Sequence, residues 1–183
     1  MDELVSTAYN IGFTKAVFIN GLKIECEPRL RAYCTPERCP NHGQNWVCPP
    51  GCGSIEDCAD KAKRFQSGIL LQSVTGLKPP VDDDVYKSLN RLHNMKLRKF
   101  TESIKNKYSE MLTLTTGGCT FCSPCKYPAP CAKPNVRMNS LSAYGIDVAK
   151  LCETAEVEYS FRPDMVYYTA LVLVKISDEV ESK

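Results

Sequence analysis

The sequence predicts a domain of the α/β or α+β class, in which helices flank a sheet of about four strands and two cysteine-rich loops project from it. The chain has 183 residues, the length of one ordinary domain. Helical and strand-like hydrophobic patterns alternate along it, with no repeat or linker between them. Residues 26–53 and 117–134 lose this periodicity and concentrate cysteine, proline and glycine. These two segments are the first and the second cysteine loop.

A helix and a β-hairpin are predicted ahead of the first cysteine loop. Residues 2–11 carry apolar side chains at helical spacing, and residues 16–19 form an apolar run typical of a strand. Asn20 and Gly21 are the residue pair that a tight hairpin turn prefers. We therefore expect residues 22–24 to return as a second strand.

The rest of the chain is predicted to alternate between helices and strands. Ser54 is a good N-cap, and Asp57 three residues later completes a partial capping box at the start of a helix. The elements that follow are a strand over 69–74, a helix over roughly 83–110, a short strand over 112–115, a helix from Ser140 or Ser142 to about Glu153, and a strand over 165–176.

Cysteine is the most unusual part of the composition, with eleven among 183 residues. No stretch approaches twenty apolar residues, and the opening MDELVSTAYN has acids instead of an apolar signal core. We therefore expect a cytoplasmic protein without a membrane span, whose thiols stay reduced unless metal or catalysis occupies them. Metal ligation is the leading explanation, with residues 1–183 forming one metal-binding domain. Redox-active disulfides and unligated core thiols are the alternatives.

The second cysteine loop contains the sharper motif, C-x2-C-x2-C followed by a fourth cysteine after five residues. Its cysteines are Cys119, Cys122, Cys125 and Cys131. Two-residue gaps let one tight loop wrap three corners of a cubane, so the motif predicts a [4Fe–4S] cluster. Cys131 either closes that cluster or ligates another. Zinc is the alternative, although zinc sites more often use two distant C-x2-C pairs. Lys126, Lys133 and Arg137 either offset the negative charge of a cluster or are solvated.

The first cysteine loop holds Cys34, Cys39, Cys48 and Cys52 at spacings that match no common zinc finger or ferredoxin. Four thiols in an aperiodic loop still favour a second metal centre, either another [4Fe–4S] cluster or zinc with His42 as a further ligand. Trp46 is expected to cover this site or to be an ordinary core residue. Cys58 and Cys152 lie on apolar helix stripes, which predicts buried core thiols. Cys26 fits either group.

Charge patterning suggests a partner. The formal net charge of +2 argues against coating nucleic acid by charge alone. Between Lys87 and Lys107, however, seven basic residues accompany the single acid Glu102. This basic helix is predicted to dock an acidic redox partner, or else to be a solvated face. Nucleic acid is disfavoured because no RNA-binding motif accompanies the charge. The chain also contains no G-x-G-x-x-G, P-loop, H-E-x-x-H or nucleophile elbow, so no enzyme class is indicated.

The order of the cysteine blocks resembles a family of cysteine-rich predicted metal-binding proteins from bacteria and archaea, domain of unknown function 2284. The blocks are C-x4-C-P-x2-G from Cys34, C-P-P from Cys48, G-x-C-x2-C-x2-C from Gly117, C-x2-P from Cys131 and G-I-D-V from Gly145. The resemblance implies an iron–sulfur protein of anaerobic-type metabolism and supplies no reaction or substrate.

Four functions remain open from the sequence, and one of them is a thiol redox sensor that forms disulfides in the absence of metal. Electron transfer is the default, because four thiolates leave iron no open coordination position. A [4Fe–4S]-dependent enzyme follows if one of the four thiols is not a ligand. A zinc-stabilised binding module follows if the metal supplies only folding energy.

Overall fold

The computed structural model describes residues 2–175, in which helices cover both faces of a five-stranded mixed sheet. The elements are α1 (Asp2–Ile11), β1 (Lys15–Asn20), α2 (Pro28–Arg31), α3 (Ile55–Ala62), β2 (Ser67–Gly76), α4 (Asp83–Ile104), β3 (Met111–Thr115), β4 (Asn139–Ser140), a 3-10 turn (Ser142–Tyr144), α5 (Val148–Thr154) and β5 (Met165–Val174). The strand order is β1-β2-β5-β3-β4, and β3 and β4 pair in parallel. The predicted α+β class with about four strands is confirmed. The fifth strand, β4, is too short for a hydrophobic pattern to reveal.

The two central strands carry the core. β2 and β5 pair antiparallel over their whole length, from Ser67 opposite Val174 to Gly76 opposite Met165. Their side chains alternate between two apolar clusters, one shared with α3 and α5 and the other with α1 and α4. Because both faces of these strands are buried, their sequences are nearly continuous apolar runs.

The prediction of a hairpin at Asn20 and Gly21 is wrong, because residues 22–24 do not form a strand that pairs with β1. Gly21 does adopt the positive φ of +67° that favours glycine. The chain then turns away, and β1 pairs with β2 instead, with Asn20 opposite Ser67. Leu22 is buried, and its N–H bonds to the Gln66 carbonyl at 2.7 Å. Pairing with a central strand and burying Leu22 outweigh the local turn preference.

Two predicted helices differ from the structure. The helix predicted over 83–110 ends at Ile104. The helix predicted from Ser140 or Ser142 is divided at Gly145, which has a φ of +65° and separates the 3-10 turn from α5. A Cβ at Gly145 would lie 2.5 Å from the Glu27 carbonyl oxygen, so this glycine lets the first cysteine loop pass close by. The helix predicted from Ser54 is confirmed, with both hydrogen bonds of the capping box to Asp57 present.

The two cysteine loops leave the sheet at opposite ends. β1 ends at Asn20, which is level with the start of β3, whereas β3 ends at Thr115, which is level with Ala16 near the start of β1. The first loop therefore has to travel along the fold to meet the second.

Candidate metal centre

A buried polar network anchors the start of the second cysteine loop to α4. The Thr115 hydroxyl donates to Asn94 Oδ1 at 3.1 Å, and Asn94 Nδ2 donates to Asn90 Oδ1 at 2.8 Å. Asn90 Nδ2 in turn donates to the Thr116 carbonyl at 3.4 Å. Gly117 follows with a φ of +86°, and a Cβ at this position would lie 3.3 Å from Asn90 Nδ2. The long helix thus sets where the loop leaves the sheet.

The four thiols predicted in the second cysteine loop are brought to one small pocket. Each of these cysteines is partly buried. The pocket is lined by Cys119, Cys122, Cys125, Cys131, Phe121, Lys133 and Arg137, and by Trp46 and Val47 of the first cysteine loop. Of the three cations that were expected to offset a cluster's charge, Lys133 and Arg137 line this pocket.

Backbone N–H groups point at two of these sulfur atoms. Burial raises the pKa of the Cys119 thiol, whereas hydrogen bonds from the Phe121 and Met138 backbone lower it. The Lys133 N–H donates to Cys131 Sγ at 3.4 Å. Hydrogen bonds of this kind stabilise the anionic form of sulfur and are a standard means of tuning thiolate-bound metal.

In the first cysteine loop, three of the four predicted thiols are within electrostatic range of one another. Burial raises the pKa of the Cys34 thiol, and the nearby Cys39 thiol raises it further. Burial also raises the pKa of Cys48 to about 11, and both of the other thiols contribute to this rise. His42 lies in the same turn, where its N–H bonds to the Cys39 carbonyl at 3.1 Å.

Cys52, the fourth predicted thiol of this loop, packs into the hydrophobic core beside Cys58. Cys52 is 5% exposed and Cys58 is 0% exposed. The Cys58 thiol donates to the Cys52 carbonyl at 3.7 Å, and its interaction with the Cys52 thiol is the main cause that lowers the pKa of Cys52. Cys52 also remains within electrostatic range of Cys48. The buried positions predicted for Cys58 and Cys152 are confirmed, but Cys58 also belongs to this thiol pair.

Arg31 is a functional candidate that the sequence did not indicate. Its guanidinium donates to the Ala143 carbonyl at 2.7 Å, to the Gly53 carbonyl at 2.5 Å and to Cys58 Sγ at 3.6 Å. Its charge is among the influences that lower the pKa of the thiols at Cys34, Cys48, Cys52 and Cys58. A single arginine in a four-residue helix carries no sequence signal of such a position.

Trp46 joins the two cysteine loops. Its indole N–H donates to the Ala129 carbonyl at 2.8 Å, and its ring meets the Tyr127 ring edge-on, with centroids 5.1 Å apart. Because Trp46 also lines the thiol pocket, it covers the second cysteine loop, although the sequence had suggested a lid over the first.

Replacing Gly51 by alanine is expected to weaken this junction. The added Cβ would lie 2.6 Å from the Asn45 carbonyl oxygen and 2.9 Å from the Tyr127 ring. Overpacking of this kind costs about 1–3 kcal/mol, which a shift in the urea midpoint measures. Gly118→Ala is the matched control, since its Cβ would meet only ordinary contacts at 3.5 Å. Equal midpoints for the two variants would contradict the close approach at Gly51.

The four thiols of the second cysteine loop share a pocket, but their sulfur atoms are not in positions to coordinate one metal ion. Within residues 2–175, no group of three or more His, Cys, Asp or Glu side chains is placed to hold a metal ion. The donor set of the second cysteine loop nevertheless suits a soft metal, because four thiols, backbone N–H donors and two cations share one pocket. Metal binding therefore requires the four sulfur atoms to converge within that pocket.

Comparison with known proteins identifies a family. Residues 17–174 match the family model described as predicted metal-binding protein (DUF2284). No curated protein and no solved structure matches the chain. In the part of the chain that the structure describes, no helix has the length and apolar character needed to cross a membrane.

Proposed function

This chain belongs to the DUF2284 family of predicted metal-binding proteins, and on that premise we propose that it is a cytoplasmic [4Fe–4S] protein that transfers electrons in anaerobic-type metabolism. The four thiols of the second cysteine loop, Cys119, Cys122, Cys125 and Cys131, hold the cluster. A bound cluster supplies one-electron chemistry, passing between its 2+ and 1+ states.

The shared pocket is the observation that carries this proposal. Four thiols, two backbone-bonded sulfur atoms and the cations Lys133 and Arg137 surround one small space. A [4Fe–4S]²⁺ core with four thiolates is an anion of charge 2−. Positive side chains and N–H donors stabilise that anion, and they favour its reduction by a further electron. Electron transfer follows because four thiolates leave no position for a substrate.

The first cysteine loop supports a second metal centre. Cys34, Cys39 and Cys48 lie within electrostatic range of one another, and Cys52 lies within electrostatic range of both Cys48 and Cys58. A second [4Fe–4S] cluster and a zinc ion both suit this thiolate set. Arg31 lies beside these thiols and would stabilise either centre by its charge.

Two other functions have weaker support. A zinc-stabilised binding module would use the same thiols for folding energy alone. An enzyme with one open iron position requires that one of the four thiols of the second cysteine loop is not a ligand, which makes the exposed iron a Lewis acid.

Metal analysis of anaerobically purified protein tests the proposal. We expect about four iron and four sulfide ions per chain for one cluster, with brown colour and absorbance near ~400 nm that dithionite bleaches. About eight iron ions would place a second cluster in the first cysteine loop, and four iron with one zinc would place zinc there. Colourless protein that is replete with zinc would contradict the electron-transfer proposal and leave the binding module.

A further inference from the structure

The basic segment around α4 is not one continuous charged face. Three of its seven cations pair with carboxylates: Lys87 with Asp84, Lys105 with Glu102, and Lys107 with Glu3. A fourth, Lys96, donates to the Gly12 carbonyl at the end of α1. Arg91, Arg98 and Lys99 make no ion pair with any carboxylate among residues 2–175. The unpaired charge lies on the side of α4 that meets the second cysteine loop.

A groove lies between α4 and the second cysteine loop at this point. It is lined by Met95, Arg98, Lys99, Thr101, Glu102, Phe121, Lys133 and Val136. Met95 is 55% exposed and Val136 is 44% exposed, so the groove offers apolar surface to solvent. Its single acid, Glu102, is paired with Lys105, which leaves the groove with a net positive charge. Exposed apolar surface bordered by charge is typical of a protein-docking site.

Phe121 separates this groove from the thiol pocket. Its ring lines both spaces. Arg98 stacks over the ring at 4.8 Å from its centroid, and Lys133 lies 5.7 Å from it. Cation–π contacts hold both charges close to the ring. Two cations positioned in advance lose less side-chain entropy when a carboxylate binds them.

We propose that this groove docks an acidic one-electron carrier protein, whose carboxylates bind Arg98, Lys99 and Lys133 while an apolar contact covers Met95 and Val136. The inference rests on the proposed [4Fe–4S] function and names its partner. A reduced carrier would give up one electron close to Phe121, and a [4Fe–4S] cluster held by the four thiols of the second cysteine loop would accept it. A second copy of this chain does not suit the groove, because it would bring the same positive charge.

Electron transfer from a plant-type [2Fe–2S] ferredoxin tests the proposal. This acidic carrier is a low-potential one-electron donor. The Arg98→Gln, Lys99→Gln double variant, which leaves the thiol pocket intact, is expected to reduce the second-order rate of cluster reduction by about tenfold or more at low salt, because steering by charge contributes that much. The matched control is Lys15→Gln with Lys23→Gln, which removes two exposed charges from β1 and from the segment after it, and neither residue lines the groove or the thiol pocket. The control should stay within about twofold of the original rate.

Two further measurements separate failure of the docking surface from failure of the proposed function. Reduced methyl viologen, a small mediator, should reduce the cluster equally in all three proteins, and a chain without a reducible cluster refutes the function itself. Calorimetry with oxidised ferredoxin measures docking without electron flow. Binding that only the Arg98 and Lys99 variant loses supports the groove. Equal binding of ferredoxin by both variants overturns it. Binding of short single-stranded DNA without binding of ferredoxin overturns it too.

Discussion

Replacing Cys122 by serine is expected to abolish the iron content and visible absorbance that the second cysteine loop supplies. The central position of Cys122 in C-x2-C-x2-C leaves no neighbouring thiol of the loop to replace it. Any ligand that binds only the folded state stabilises it, by about 4 kcal/mol when present at a thousandfold excess over its Kd. A chain of this length loses about 2–4 °C of Tm per kcal/mol. The variant should therefore melt lower by about 8–16 °C.

Cys152→Ala is the control for this experiment. Cys152 is a buried thiol of α5 outside both cysteine loops, so its replacement removes a thiol and keeps the pocket. Iron, sulfide and the absorption spectrum should match those of the original protein. An unchanged cluster in Cys122→Ser would refute the assignment of ligands to this loop.

The Cys131→Ser variant distinguishes electron transfer from the enzyme alternative when its iron, sulfide and absorption spectrum are measured in the same experiment. Loss of the cluster would identify Cys131 as the fourth ligand. A retained, redox-active cluster would indicate an open iron position.

Acid is expected to destabilise the fold through His93. His93 lies within α4 and is 0% exposed. Its Nδ1 lies 2.9 Å from the Ser73 hydroxyl, and its Nε2 has no hydrogen-bond partner among the described residues. Burial lowers the pKa of His93 to about 3, with a smaller contribution from Lys96.

The direction of the pH effect follows from proton linkage. Between pH 6.5 and pH 3 the unfolded chain binds a proton at this position and the folded chain does not, so stability rises with pH in that window. Full stability is present above pH 6.5, and about 3 kcal/mol is lost by pH 4. His93→Gln has no titrating group and keeps a polar side chain towards Ser73. The urea midpoints of the original protein and of His93→Gln, measured at the same metal content, should converge as the pH falls. Parallel curves would contradict a neutral, buried His93.

The helices and strands were predictable because hydrophobic periodicity reports which side of each segment is buried. β2 and β5 read as continuous apolar runs since both of their faces are covered. The capping box at Ser54 was predictable because it involves only neighbouring residues. The second cysteine loop was predictable for the same reason, as three thiols within seven residues meet at one pocket through local chain geometry.

What remained hidden depends on contacts between distant parts of the chain. Asn20 and Gly21 carry a hairpin signal, but the pairing of β1 with β2 takes precedence over it because it buries more apolar surface. The Trp46 bond to Ala129 spans 83 residues, and the Arg31 bond to Ala143 spans 112. Cys52 and Cys58 are six residues apart, but both are buried because they pack in the apolar cluster shared with β2 and β5. Spacing along the chain specifies which thiols can share a tight turn. Only the packing of distant elements decides which thiols the core takes in, and where a cation or an indole meets them.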